Sequence, residues 1–178
     1  MTVVIFETER LIGRHVMLTD DQAMHAVYGN ARAMRYVGDG QPLDLAGCQG
    51  WLAIIFQKYR KWGYGMSALV RKADGQVVGF CGLVHPNDQP EAEVKYALRE
   101  DCWGQGLATE AVAAMLAYGQ RAFGLSYIIA TVDPDNRPSQ HVLDKAGMQR
   151  GPLRPNPDGS HTQMYTLGQA PGAGSATP

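Results

Sequence analysis

The 178-residue sequence has almost no net charge: 16 Lys and Arg stand against 17 Asp and Glu, a formal balance of −1. A dedicated nucleic-acid binder would show a basic stripe. The densest basic stretch here, Lys58, Arg60 and Lys61 and then Arg71 and Lys72, is short and reads as a solvated helix face and a hairpin edge. DNA is not an expected partner. Long hydrophobic runs are also missing, since no stretch reaches the ~18 apolar residues needed to cross a membrane. Met1–Arg10 has neither the basic start nor the cleavage site of a signal peptide. Only three cysteines occur, Cys48, Cys81 and Cys102, spaced by 33 and 21 residues. That is neither a disulfide framework nor a zinc pattern, and a reduced, cytoplasmic protein without a membrane partner is expected. Five histidines include no H-x-x-x-H pair and no H-E-x-x-H, and Cys81 and His85 fall on an expected strand as core residues, so no metal is expected.

What is present is an ordinary apolar content, 45%, and an excess of glycine, 21 residues. Glycine follows no three-residue period, no repeat is evident, and one core in one domain is expected over residues 1–167. Residues 168–178, rich in Gly and Pro, read as a disordered tail. Alternation over residues 8–19 predicts a strand, followed by a helix from Asp20 or Asp21 to Tyr28. A second helix is predicted over Leu45–Trp62, with Trp51, Ile55 and Tyr59 recurring every four residues. Three strands follow, at 64–72, 76–85 and 91–99, with Asp74-Gly75 supplying positive φ angles for the first hairpin. A helix over 106–123 places Leu107, Ala111, Met115, Tyr118 and Ala122 on one face, and Gly124 ends it. The β-branched run Tyr127–Val132 reads as a buried strand, parallel to 91–99 because a helix separates them. A helix over 137–146 and strands at 148–153 and 161–167 complete the order.

Chemistry is concentrated where the strand at 91–99 runs through Trp103-Gly104-Gln105-Gly106 into the helix beginning Leu107-Ala108-Thr109. The first amides of a helix have no internal partners and sit at its positive end, and glycines let a ligand approach the backbone closely. A pyrophosphate fits such a junction; a plain tight turn fits it as well. The P-loop pattern is excluded because no Gly-Lys pair occurs, and the dinucleotide pattern fails because Thr109 stands where its third glycine belongs. Cys102 has no basic partner in the sequence to make it a nucleophile and reads as a core or loop residue. Trp51, Tyr59, Trp62 and Tyr64 either line a groove or pack in the core.

The segment Trp103-Gly-Gln-Gly-Leu-Ala-Thr-Glu-Ala111, the start Thr8-Glu-Arg-Leu11, and Asn136-Arg-Pro-Ser139 followed by Val142-Leu-Asp-Lys-Ala-Gly-Met148 occur in that order. Together they resemble the GNAT N-acetyltransferases, in particular the branch that acetylates ribosomal-protein N-termini and related amines. Trp103 departs from the family's usual Arg or Gln, and Met148 from its usual aromatic. The resemblance, over residues 8 to 167, implies an α/β (α+β) fold. Its mixed, mostly antiparallel sheet would have six to seven strands and about four helices, with two parallel strands splayed at the coenzyme cleft. It implies acetyl-CoA as co-substrate, an amine acceptor, direct attack in a ternary complex, and a monomer or homodimer.

On the same resemblance the coenzyme is held by Leu98, by the backbone of Trp103, Gly104, Gln105, Gly106, Leu107, Ala108 and Thr109, and by Asn136 and Ser139. Glu93 stands where this branch often has its base, acting through water, and Ser139 matches a hydroxyl that faces the thiolate. Glu91 and Glu110 are alternative bases. Read from the residues alone, Glu93 is a solvent-facing strand residue and Asn136 a helix cap. A non-catalytic acyl-CoA-binding sensor or interaction domain is the alternative function.

Overall fold

In the computed structural model, which describes residues 2–170, the chain runs through β1 (Val4–Glu7), β2 (Leu11–His15), α1 (Asp21–Tyr28), α2 (Ala31–Met34), α3 (Leu45–Trp62), β3 (Met66–Arg71) and β4 (Val77–Val84). It continues through β5 (Ala92–Leu98), α4 (Leu107–Phe123), β6 (Tyr127–Val132), α5 (Arg137–Lys145), β7 (Gln149–Pro155) and β8 (His161–Gly168). The strands form one sheet in the order β1-β2-β3-β4-β5-β6-β8-β7. Every neighbour pair is antiparallel except β5 and β6, which run parallel across the α4 crossover.

The sheet has one strand more than expected because Val4–Glu7, ahead of the strand expected over 8–19, forms β1, and of 8–19 only Leu11–His15 is a strand, β2. Thr8 turns the chain: its hydroxyl accepts from Leu11 N at 3.0 Å, so β1 and β2 separate there without any glycine or proline. The remainder of 16–19 leads into α1 through a short turn that Asp20 closes, its carboxylate accepting from Met17 N at 2.7 Å. The extra helix is the single turn α2, capped by Asn30, whose side chain accepts from Arg32 N and Ala33 N. At the β3–β4 hairpin only Gly75 takes a positive φ, +71°. Asp74 instead accepts from Gln76 N and pairs with Arg71, and the ladder shifts register after Leu69. Residues 171–178, most of the expected tail, lie outside the described residues, and Gly168 belongs to β8.

Two apolar layers sandwich the sheet. On one face α4 and α5 bury Leu107, Ala111, Met115 and Leu143 against Leu83, Val94, Leu98 and Ile128. On the other, α1 and α3 bury Met24, Val27, Leu52 and Ile55 against Ala68 and Phe80. Each large side chain so buried contributes about 1.5–3 kcal/mol. The buried stripe of α4 continues through Val112, Leu116 and Gly119, leaving Ala122 exposed and Tyr118 half-buried, off the expected line. Gly119 is where α4 comes closest to the sheet: a Cβ there would stand 2.5 Å from Leu83 Cδ1. Among the described residues no helix is long and apolar enough to cross a membrane.

Three tyrosines take their hydroxyls into these layers. Burial pushes the phenol of Tyr59 up to about 12, and those of Tyr28 and Tyr96 higher still. Above about pH 10 the unfolded chain loses these protons while the folded chain keeps them, so unfolding is favoured as pH rises. Stability is expected to be fully retained below pH 10 and to fall by up to about 1.4 kcal/mol per pH unit for each such phenol above it. Thermal melts from pH 9 to 11.5 read this directly (about one to two units around the ordinary tyrosine value); a flat melting temperature would contradict it.

Candidate active site

The site begins where two strands part. β5 and β6 pair only at Ala92 with Ile128 and at Glu93 with Ile129. Beyond that point β5 follows β4 alone, to Leu98 opposite Gly79. Arg99 N donates to Val78 O at 2.9 Å, and ladder bonds fall on alternate residues. The N–H and C=O groups of Tyr96 and Leu98 therefore face the open side of a V.

Glu93 sits at the fork of that V and is only 2% exposed, not solvent-facing as its strand position suggests. Its Oε1 accepts from Thr131 N on β6 at 3.1 Å and also from the Thr131 hydroxyl, in place of the ladder bond that ends there. Lys95 Nζ lies 2.5 Å from the same oxygen and donates to Thr131 Oγ1 at 2.9 Å, so it too reaches across the V. Glu93 Oε2 accepts from Gln89 Nε2 at 3.3 Å. Gln89 is held in turn by His85, whose Nδ1 is 2.9 Å from its carbonyl oxygen, while Tyr64 and Trp62 pack on the His85 ring.

Alternation along β5 sends these groups to one face and Tyr96 to the other. The Tyr96 hydroxyl lies 2.7 Å from Ser139 Oγ and donates to Ser139 O at 3.1 Å. Burial, against the opposing pull of the Ser139 hydrogen bond, keeps this phenol protonated far above neutral pH. Asn136 caps α5, accepting from Ser139 N at 3.3 Å, which is the geometry a cap requires and which orients the first turn that carries Ser139.

At the mouth of the V the chain passes through Gly104 and Gly106, both at positive φ, +71° and +78°. No protein atom lies within 4 Å of where a Cβ on Gly104 would stand. No side chain caps α4, so the amides of Leu107, Ala108 and Thr109 point out of its positive end unpaired within the helix. The loop is fastened from three sides. Trp103 Nε1 donates to Leu98 O at 2.9 Å, Gln105 Nε2 donates to Asp101 O at 2.9 Å, and Arg10 donates to Gln105 O at 2.8 Å.

Arg10 explains the opening Thr-Glu-Arg-Leu. Its backbone N and its Nε donate to the Glu110 carboxylate at 2.8 and 2.7 Å, and Thr8 Oγ1 adds a third bond at 2.5 Å. Burial would raise the carboxyl of Glu110, but these bonds outweigh it and hold the group below its ordinary range. Glu110 is thus a fastening of the loop rather than a free base, and Glu91 stands ahead of β5, before the fork. Arg10→Ala is expected to weaken binding of a phosphate-bearing ligand at this loop about tenfold, the loss of roughly one charge-assisted hydrogen bond, with the fold retained. Calorimetric titration with coenzyme A compares the two proteins; equal affinity would show that the loop stands without Arg10.

The aromatic groove is not formed. Trp51 packs edge-on against Tyr28, Tyr59 stacks on His15 and donates to Met66 O, Trp62 stacks on His85, and Tyr64 is buried. Cys102 is buried as a core residue, and burial raises its thiol. Among the described residues no group of three or more His, Cys, Asp or Glu is gathered as a metal site. Sequence reasoning named Glu93, Ser139, Asn136 and the glycine loop; the structure places Tyr96, Lys95, Thr131 and Arg10 in hydrogen-bond contact with them, and sequence reasoning named none of these four as a site residue. Tyr96 and Lys95 could have been found from their alternation with Glu93 on one strand; Thr131 had no signal.

The parallel pair of strands thus splays beside an uncapped helix N-terminus, and comparison with known proteins identifies the fold. The family model for the acetyltransferase (GNAT) domain matches residues 10–149. The uncharacterized N-acetyltransferase YoaA of Bacillus subtilis (strain 168) is 31% identical over 154 residues, covering 84% of this chain and 86% of the relative. The crystal structure of an acetyltransferase from Agrobacterium tumefaciens str. C58 superposes with a TM-score of 0.78 at 27% identity, over 95% of each chain. A ribosomal-protein-S5-alanine acetyltransferase from Vibrio fischeri shares the fold at 17% identity, with a TM-score of 0.73 over 93% of this chain and 95% of that one. The protein belongs to the GNAT acetyltransferase family. Its fold is the one that carries acetyl-CoA-dependent acetyl transfer, and its residues fit that co-substrate: unpaired amides for the diphosphate, and along the V the N–H and C=O of Tyr96 and the N–H of Leu98 for the pantetheine amides, the Leu98 carbonyl already accepting from Trp103.

Proposed function

We propose that the protein transfers the acetyl group of acetyl-CoA to a primary amine, by direct attack while coenzyme and acceptor are bound together. The observation that carries this reading is the two-sided β5: a buried carboxylate at the fork on one face, a protonated phenol paired with a serine on the other. In this reading Gly104, Gly106 and the amides of Leu107, Ala108 and Thr109 hold the diphosphate, and the backbone of Tyr96 and the N–H of Leu98, which face the open side of the V, hold the pantetheine arm. Trp103 and Gln105 keep the loop in place through their side chains, and Asn136 orients Ser139.

Acetyl-CoA supplies the acyl group as a thioester. An α-amine titrates near about 8 and lysine near about 10.4, so the acceptor must lose a proton before it attacks. Glu93 receives it, directly or through water, with Lys95 displaced from Oε1. The Tyr96–Ser139 pair presents a hydrogen-bond donor to the leaving thiolate, since burial keeps the phenol neutral, and relays to sulfur the proton that the attacking nitrogen gives up. The acceptor is the amine of a protein N-terminus, as in the ribosomal-protein branch, or of a small molecule. The three buried free cysteines accord with a reducing, cytoplasmic setting.

Calorimetry with acetyl-CoA, followed by free-thiol release with a panel of N-terminal peptides and small amines, tests the reading. Binding with acceptor-dependent thiol release is expected. No binding at millimolar coenzyme overturns it, and binding without release for any amine makes the protein an acyl-CoA sensor instead.

A further inference from the structure

We propose that Lys95 is itself an acetyl acceptor, modified by coenzyme bound to its own chain. The proposal rests on the transferase reading above and adds a modification site to it. The carrying observation is the position of one amine: Lys95 Nζ spans from β5 to Thr131 Oγ1 on β6, 2.9 Å away, across the V where the strands have parted. It does so 2.5 Å from Oε1 of Glu93, the oxygen assigned to deprotonate an incoming amine. The Lys95 side chain is 41% exposed while that of Glu93 is 3% exposed, so the ammonium is reachable and its partner is not.

An ordinary surface ion pair explains less. Such pairs contribute little and carry no requirement to bridge two strands. The other lysines stand elsewhere: Lys58 and Lys61 pair with the exposed Asp88, Lys72 with Glu7, and Lys145 closes α5. Lys95 alone among them lies at the fork, and it is a primary amine, the functional group the site is read to acetylate.

The step balances without any further reactant. The ammonium passes one proton to Glu93, and the freed lone pair forms a C–N bond to the acetyl carbonyl carbon. The C–S bond breaks, and the nitrogen gives up its second proton as the amide forms. That proton is relayed through the Tyr96–Ser139 hydrogen bond to the thiolate, which leaves as the thiol, while Glu93 releases the first proton to solvent. One proton thus ends on sulfur and one in solvent. The product side chain keeps a single N–H but no charge, so Glu93 loses its cation.

The test is to incubate the full chain with acetyl-CoA and no acceptor, then follow intact mass and map the modified peptide. One acetyl group per chain is expected on Lys95, with a rate constant that does not change on dilution of the protein. Lys95 should react about 100-fold or more faster than Lys58, Lys61, Lys72 and Lys145, as a positioned intramolecular amine does. Lys95→Arg, which keeps a cation beside Glu93, should lose that mass gain, and Gly106→Val should lose it while slow chemical acetylation of the other lysines continues. The proposal is overturned if Lys95 stays unmodified in a sample that binds acetyl-CoA and acetylates an added amine. It is equally overturned if Lys95 reacts no faster than the other four, or at a rate that rises with protein concentration. Failure to bind acetyl-CoA at all is a different result, seen by calorimetry, and removes the transferase reading as well.

Discussion

Gly106→Val is expected to weaken acetyl-CoA binding by about 100-fold or more while the protein stays folded, a loss of about 2.7 kcal/mol or more of binding free energy. Gly106 is the residue before α4 and holds φ +78° and ψ 1°, in the left-handed region. A side chain there costs about 1–2 kcal/mol, and more for a β-branched one. The cost falls on the geometry that aims the amides of Leu107, Ala108 and Thr109. A Cβ at Gly106 would also stand 3.5 Å from the Arg10 guanidinium, so valine's branches press on the group that fastens Gln105 O. Because the loop is exposed, little of the core depends on it, and the melting temperature should fall by only about 2–8 °C. Calorimetry and a thermal melt on the same sample separate the two effects. Unchanged affinity would remove Gly106 from the coenzyme site.

Glu93→Gln is expected to lower turnover by about 100-fold or more with the acetyl-CoA dissociation constant unchanged, the range found for losing a positioned acid or base. Glutamine keeps an oxygen to accept from Thr131 N, so the fork of the V retains its substitute ladder bond. It cannot take a proton from an amine. Glu93→Ala is the poorer variant because it leaves Thr131 N and Lys95 without their acceptor, at about 1–3 kcal/mol for a buried unsatisfied group. Single-turnover rates beside coenzyme titrations make the measurement. A glutamine variant as fast as the parent would mean that Glu93 shapes the fork and does no proton transfer.

Periodicity makes most of this fold legible in the sequence. α3 was readable end to end because an apolar stripe runs between a capping Asp44 and Gly63, and α4 because Gly106 and Gly124 bracket it. The parallel pairing of β5 and β6 followed from the helix between them. The β1–β2 turn was not legible, since Thr8, Glu9 and Arg10 include no glycine, proline, Asn or Asp, and the break is held by the Thr8 hydroxyl and by the Thr8 N–H donating to Leu11 O. α2 was missed because one turn of helix has no period. Within the site, the glycine loop announced itself by local rules. The burial of Glu93 did not, because it depends on Thr131, 38 residues later, and on how far two strands diverge. Motif resemblance pointed to Ser139, but only its packing against Tyr96 supplies a hydrogen-bonded proton.

The bonds from Thr8 and Arg10 to Glu110 join residues about a hundred positions apart. Contacts of such sequence separation close large loops and belong to the slow part of folding. The glycine loop therefore lacks its Arg10 fastening in any intermediate whose first hairpin has not docked on α4. Competence to bind acetyl-CoA should arrive with the last cooperative step, so ligand affinity doubles as a reporter of completed folding. An extension or deletion at the amino terminus, remote as it looks on paper, would act on the active site by changing when that latch shuts.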